Sequence, residues 1–160
     1  MFSHIMIGAN DIAASKRFYD AVLGALGIAP GVQDDKGRVF YITPTGIFAI
    51  TKPIDGGKAT AANGATIGFA ADSPEKAKAW HAAGVANGGT SIEDPPGVRT
   101  GAMGALFLAY LRDPAGNKIC ALHRNLGIPE EDHFVRPLAR RGFSAEGLEV
   151  SMLTLSPEVT

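Results

Sequence analysis

The sequence predicts an α+β fold made of two βαβββ halves, and three observations predict it. First, shifting the chain by sixty-two residues lays its punctuation on itself: Asp11 falls on Ser73, Phe18 on Trp80 and Gly27 on Gly89. Asp and Ser are N-cap residue types and glycine closes helices, so both halves carry one helix in the same place. Second, short β-branched and aromatic runs flank that helix in the same order in each half. Third, the shift puts His4 on Thr66, and the last strands of the halves put Ala49 opposite Cys120. Four strand positions are thereby set to converge, and they hold His, Ala, Thr and Cys.

Phe2 to Ala9 reads as a strand, with Phe2, His4 and Met6 on one face and Ser3, Ile5 and Ile7 on the other. Asp11 caps a helix to about Leu26, whose apolar stripe is Ile12, Tyr19, Val22, Leu23 and Leu26. Lys16 and Arg17 face away from the stripe, and Gly27 stops the helix. Three strands follow, at Ile28–Gln33, Arg38–Thr43 and Gly46–Lys52, separated by Asp34-Asp-Lys-Gly37 and Thr43-Pro-Thr-Gly46 turns. The Gly-, Ala- and Lys-rich stretch 53–64 has no apolar period and reads as the linker.

The second half opens with the strand Ala65–Ala71. Ser73-Pro-Glu is a strong helix start: a cap, a proline in the first turn, and an acid at the positive end of the dipole. That helix runs to about Asn87 on a thin stripe of Ala77, Trp80, Gly84 and Val85, so Trp80 supplies most of its anchoring area. Strands are expected at Thr90–Glu93, Ala105–Arg112 and Asn117–His123, and Glu93–Gly104 is read as a loop. The organisation is a first module over 1–52, a linker over 53–64, a second module over 65–125 and a C-terminal extension over 126–160. The extension has no partner in the repeat; Gly147–Leu155 reads as one further strand or a short helix.

A chain of 160 residues with a net charge of −1 can bury a substantial core and has no electrostatic reason to seek nucleic acid or an anionic membrane. Its single cysteine excludes an internal disulfide framework and fits a reducing, cytoplasmic compartment. No run has the ~18 apolar residues that a membrane helix requires. Pro53–Gly64 is not a phosphate loop, because no Gly-Lys-Ser/Thr ending opens a helix.

Three segments in order resemble one known family. Phe2-Ser-His-Ile-Met-Ile-Gly with Asp11 and Ser15-Lys-Arg-Phe-Tyr19 is similar to its opening strand and helix. Gly64-Ala-Thr-Ile-Gly-Phe-Ala70 with Ala79-Trp-His-Ala-Ala83 is similar to the start of its second half. Tyr110-Leu-Arg-Asp-Pro-Ala-Gly-Asn-Lys-Ile119 is similar to its closing hairpin. The family is the vicinal oxygen chelate superfamily of glyoxalases, bleomycin resistance proteins and extradiol dioxygenases, and the resemblance covers nearly all of residues 1–125.

The resemblance implies that each half curls into a partial barrel and that the two form a funnel. In metal-dependent relatives the funnel holds one divalent ion on side chains from paired strand positions. Carried over, these fall on His4, Ala49, Thr66 and Cys120. The second-half position is usually His and the last usually Glu, so only His4 keeps the metal pattern. Such ions favour imidazole and carboxylate oxygen, and catalytic zinc usually takes three protein ligands. His4 and Cys120 supply two, so the expectation is no cofactor and no metal; if one binds at all, it binds on His4 and Cys120.

His4 has two readings, as a substrate contact or acid/base group and as a core histidine. Cys120 reads as a small buried hydrophobe before a reactive thiol. Neither is more than a weak catalytic candidate. Trp80 reads as core and His81 as half-exposed, while His123 points away from Cys120 and His133 lies in the extension. The relatives this chain most resembles follow Pro-Gly-x-Arg with a stretch rich in His and Tyr. This chain keeps Pro96-Gly97-Val98-Arg99 but continues Thr100-Gly-Ala-Met-Gly104. Arg99 can clamp a carboxylate or phosphate with its planar fork, or stand as a solvated loop charge.

The expected ligand is therefore a small, largely apolar molecule. Its expected lining is His4, Phe48, Ala49, Thr66, Phe107, Tyr110 and Cys120, with Arg99 at the rim. Alternation cannot turn both Phe48 and Ala49, or both Phe107 and Tyr110, inward, and the register between them is open. The alternatives are a metal-dependent, lactoylglutathione-lyase-like lyase or isomerase or a dioxygenase, and a non-catalytic scaffold subunit. Uncovered strand edges and the apolar Leu148, Val150, Met152 and Leu155 predict a homodimer in which the extension takes part.

Overall fold

The computed structural model describes residues 2–101 and 104–124, all of which lie within one compact unit, Met1–Leu126. The first half contains β1 (His4–Gly8), α1 (Ile12–Ala25), β2 (Val32–Gln33), β3 (Val39–Thr43) and β4 (Gly46–Thr51). The second contains β5 (Ile67–Ala70), α2 (Pro74–Ala86), β6 (Thr90–Ser91), β7 (Gly97–Gly101), β8 (Gly104–Arg112) and β9 (Lys118–His123). The strands form two sheets, in the orders β1-β4-β3-β2 and β5-β9-β8-β6, with β7 also paired to β8. Neither sheet closes into a barrel. Each keeps one parallel pair, β1 with β4 and β5 with β9. The expected α+β fold is present.

The two helices begin alike. Asp11 Oδ1 accepts the Ala14 N–H at 2.9 Å, and Ser73 Oγ accepts the Lys76 N–H at 3.1 Å. Each cap satisfies an N–H that the helix itself leaves without a partner. The repeat slips where the helices end. The left-handed closing glycine is Gly27 after α1 (φ 86°) but Gly88, not Gly89, after α2 (φ 92°). The reason is length, since α1 has 14 residues and α2 has 13. Gly89 meets a different demand, because a Cβ there would collide with the Phe18 ring.

One core joins both halves. Helices α1 and α2 pack on each other, and Phe18 and Trp80 are both fully buried. Around them lie Val22, Tyr41, Phe48 and Ile50 from the first half and Phe107, Leu111, Ile119 and Ala121 from the second. Burying an aliphatic side chain such as Leu23 stabilises by about 1.5–3 kcal/mol, so this cluster is the main favourable term of the fold. The thin stripe of α2 buries Ala77, Trp80 and Gly84, but Val85 is exposed.

Two further expectations fail. The strand expected over Ile28–Gln33 shrinks to Val32–Gln33. Pro30 has no N–H to give a ladder, and the Gly31 N–H is taken by Asp20 Oδ1 at 2.9 Å. The loop expected over Glu93–Gly104 contains β7, whose Val98 pairs with Phe107 and Arg99 with Leu106. Glycines and prolines at its ends hid a strand that nine-residue β8 is long enough to pair beside β6. His133, Gly147–Leu155 and the extension expected at a dimer contact lie outside the described residues. No described helix is long and apolar enough to cross a membrane.

Candidate functional site

Strand register decides which side chains share a face. In the first sheet Val39, Tyr41, Phe48 and Ile50 join the core under the helices. The opposite, helix-free face carries His4 and Met6 beside their parallel partners Ile47 and Ala49, with Phe40 and Ile42 on the next strand. In the second sheet Phe107, Ala109, Leu111, Ile119 and Ala121 face the helices. The helix-free face carries Tyr110 directly opposite Cys120, and Arg112 directly opposite Lys118. Met6 pairs with Ala49 and Gly68 with Cys120, and His4 and Thr66 stand two residues before Met6 and Gly68.

That register settles both open pairs. Ala49 and Tyr110 occupy the helix-free faces, whereas Phe48 and Phe107 turn toward the helices. Phe48 stacks among Tyr19 (4.7 Å), Phe69 (5.2 Å) and Tyr41 (6.0 Å), measured between ring centroids. Phe107 is buried with the Lys78 ammonium 5.6 Å from its ring centroid. Phe107 is therefore a core residue.

The four paired positions offer few donors of the kind a hard divalent ion favours. His4 is exposed, with Nδ1 3.0 Å from Ser3 Oγ. Ala49 is fully buried and has no donor atom, and Thr66 precedes β5 at an exposed position. Cys120 is buried, and burial pushes its thiol up although Lys118 pulls the other way. No three His, Cys, Asp or Glu side chains cluster within reach of one ion among the described residues.

Arg99 is engaged by its own segment. Its Nη2 donates to the carbonyls of Asp94 (3.1 Å) and Pro95 (2.8 Å). His81 Nε2 lies 2.9 Å from Ser91 Oγ, and burial lowers its pKa. His123 Nδ1 lies 2.9 Å from the Ala71 carbonyl, away from Cys120 as alternation requires.

A cleft of about 550 Å³ opens between β1, the β3–β4 turn, β5 and the end of α1. Its walls are apolar, with Leu23, Leu26 and Ile28 from the helix end, Ile47 and Phe48 from β4, and Ile67 and Phe69 from β5. His4, Thr43 and Thr45 bring polar side chains, and the Tyr41 ring adds to the wall. Of the residues expected at the site, only His4 and Phe48 line it; Ala49, Thr66, Arg99, Phe107, Tyr110 and Cys120 do not. The Tyr41 ring is fixed by its hydroxyl, which donates to Asp20 Oδ1 at 3.0 Å. Burial and that bond raise the phenol's pKa well above its ordinary value. For Asp20, burial opposes ionisation, but Lys16, the Gly31 N–H and Tyr41 outweigh it and hold the carboxyl low.

Sequence reasoning missed Leu23, Leu26, Ile28, Ile67 and Phe69 as lining. Helical spacing marked Leu23 and Leu26 as apolar, but only tertiary packing tells a cleft wall from a core contact.

The sequence matches the model of the Glyoxalase/Bleomycin resistance protein/Dioxygenase superfamily over residues 1–121. No match is found among curated proteins. A crystal structure of a glyoxalase/bleomycin resistance protein from Albidiferax ferrireducens T118 is 64% identical, with a TM-score of 0.76; the match covers 78% of this chain and 99% of that one. A glyoxalase-related enzyme from Fulvimarina pelagi shares the fold at 18% identity and TM-score 0.61, over 78% of this chain and 88% of its own. A lactoylglutathione lyase from Agrobacterium tumefaciens does so at 20% identity and TM-score 0.54, over 77% and 92%.

Proposed function

Because the chain belongs to the Glyoxalase/Bleomycin resistance protein/Dioxygenase superfamily, we propose that it is a binding member of that superfamily. It takes a small, largely apolar molecule in the cleft beside His4, without a stoichiometric metal. The observation that carries this reading is the cleft itself: about 550 Å³, walled by Leu23, Leu26, Ile28, Ile47, Phe48, Ile67 and Phe69. Pockets for small ligands commonly measure ~300–1,000 Å³, with apolar walls and a few placed polar groups. His4 and Thr43 are such groups, and they orient a ligand's hydroxyl or carbonyl.

The enzymatic alternative, a lyase, isomerase or dioxygenase, needs an ion on His4 and Cys120. The donor set argues against it, because no carboxylate occupies a paired position and no three ligating side chains cluster among the described residues. Titration with 1-naphthol, followed by the methyl signals of Leu23, Leu26, Ile28, Ile47 and Ile67, separates the readings. Binding that is saturable and equal before and after EDTA treatment supports the proposal. Binding that is absent after EDTA and returns with added Ni or Zn overturns it.

The same reading includes a homodimer in the cytoplasm. Met6, Val32 and Ile42, at 39%, 66% and 68% exposure, leave the helix-free face of the first sheet apolar and uncovered. A second copy covers that face. The single cysteine accords with a reducing compartment.

A further inference from the structure

We propose that the pocket between residues 61–66 and the paired Arg112 and Lys118 binds a small oxyanion, a carboxylate or phosphate group. The pocket measures about 370 Å³ and is lined by Ala61–Thr66 together with the two cations. Arg112 and Lys118 are direct cross-strand partners at the end of the β8–β9 hairpin, on the helix-free face. Like charges directly opposite one another on a sheet repel, so this pairing favours an anion beside it.

Only one is built in. The Glu93 carboxylate pairs with Lys118, whose ammonium lies 4.8 Å from the Tyr110 ring centroid. Glu93 makes that reach from a left-handed backbone (φ 59°), a conformation that a non-glycine residue adopts at a cost. Arg112 has no acidic partner among the described residues; its Nη1 donates to the Gly116 carbonyl at 2.8 Å and the rest of its fork is uncommitted. One positive charge is left in excess. Asn63, Gly64 and Thr66 line the same pocket, and the Asn63 and Gly64 N–H groups have no acceptor among the described residues. A forked cation, an ammonium, a hydroxyl and free backbone N–H groups are the donor set of an oxyanion site. The pocket shares no lining residue with the apolar cleft, so its fate is independent of what the cleft binds.

The test is an amide NMR titration of the full chain with inorganic phosphate and, separately, acetate, with ionic strength held constant by chloride. The expected result is saturable movement of the Asn63–Thr66 signals with at least one of the two, the better anion naming the source. Arg112→Gln should weaken that binding by about tenfold or more, as loss of a charge-assisted contact does. Glu93→Gln should tighten it by freeing Lys118, while Glu75→Gln, an equal charge change at the start of α2, should not. Shifts that do not saturate, that chloride reproduces, or that survive Arg112→Gln with the fold intact overturn the proposal. So does Glu93→Gln behaving like Glu75→Gln.

Discussion

Tyr19 of α1 donates its hydroxyl to Asp113 Oδ2 at 2.8 Å, joining the first half's helix to the second half's closing turn. Asp113 also accepts from Asn117 Nδ2 at 2.9 Å, and Asn117 in turn reaches the Gly8 carbonyl at 3.3 Å. The chain of bonds is therefore a clamp between the halves. Tyr19→Phe should destabilise the protein by about 1–3 kcal/mol in urea unfolding, the range for losing a hydrogen bond to a buried charged group. The phenol's pKa is raised, first by burial and then by Asp113. Its contribution is thus present below the unfolded tyrosine value near ~10 and lost as pH rises past it. A Tyr19→Phe protein as stable as the parent at neutral pH would show that the clamp is idle.

Phe18→Ala and Trp80→Ala should each cost roughly 3–5 kcal/mol, because both rings are fully buried in the shared core. Trp80→Phe should cost far less than Trp80→Ala, since the buried indole Nε1 has no acceptor among the described residues. Chemical denaturation of the three variants checks this. A loss under about 1 kcal/mol for either alanine variant would mean that the residue is not an anchor.

Gly84→Ala should destabilise by about 1–3 kcal/mol although alanine favours helices. Its Cβ would run into the Leu111 methyl and come within 3.1 Å of Val22 and 3.2 Å of Phe18, so Leu111 would have to move and α1 to give way slightly. Thermal unfolding that rises on this change would contradict the close approach.

Cys120 should react slowly with iodoacetamide at neutral pH in the folded protein, because burial raises its pKa and shields its sulfur. The buried thiol stabilises below the unfolded cysteine value near ~8.5, and that contribution declines as pH rises beyond it. Alkylation as fast as that of a free thiol at pH 7 would show an activated nucleophile.

Protein purified without chelators should carry less than about a tenth of an equivalent of any divalent ion, since only two of the four paired positions can ligate. Ala49→Glu, Thr66→His and Cys120→Glu together should raise that affinity. Near-stoichiometric Ni, Zn, Fe or Mn in the unaltered chain would reverse the reading of the site.

The repeat was legible because caps and glycines are local signals. Asp11 and Ser73 announce their helices by chemistry that acts within three residues. Strand β7 was not legible, because Gly97 and Gly101 carry no strand propensity and only the neighbouring β8 makes them pair. The site divided in the same way. Alternation separated His123 from Cys120, but whether Phe48 or Ala49 faced the helices depended on the sheet as a whole. Ile28, Ile67 and Phe69 carried no mark of a cleft wall, since a cleft is a property of elements from both halves.

What occupies the cleft decides between binding and metal chemistry. Crystals of the full chain, grown in chelator and soaked with 1-naphthol, should show the ring system against Leu26, Ile47, Phe48 and Phe69 with no ion on His4. A cleft that stays empty under saturating naphthol, or an ion that survives chelation on His4 and Cys120, would contradict it.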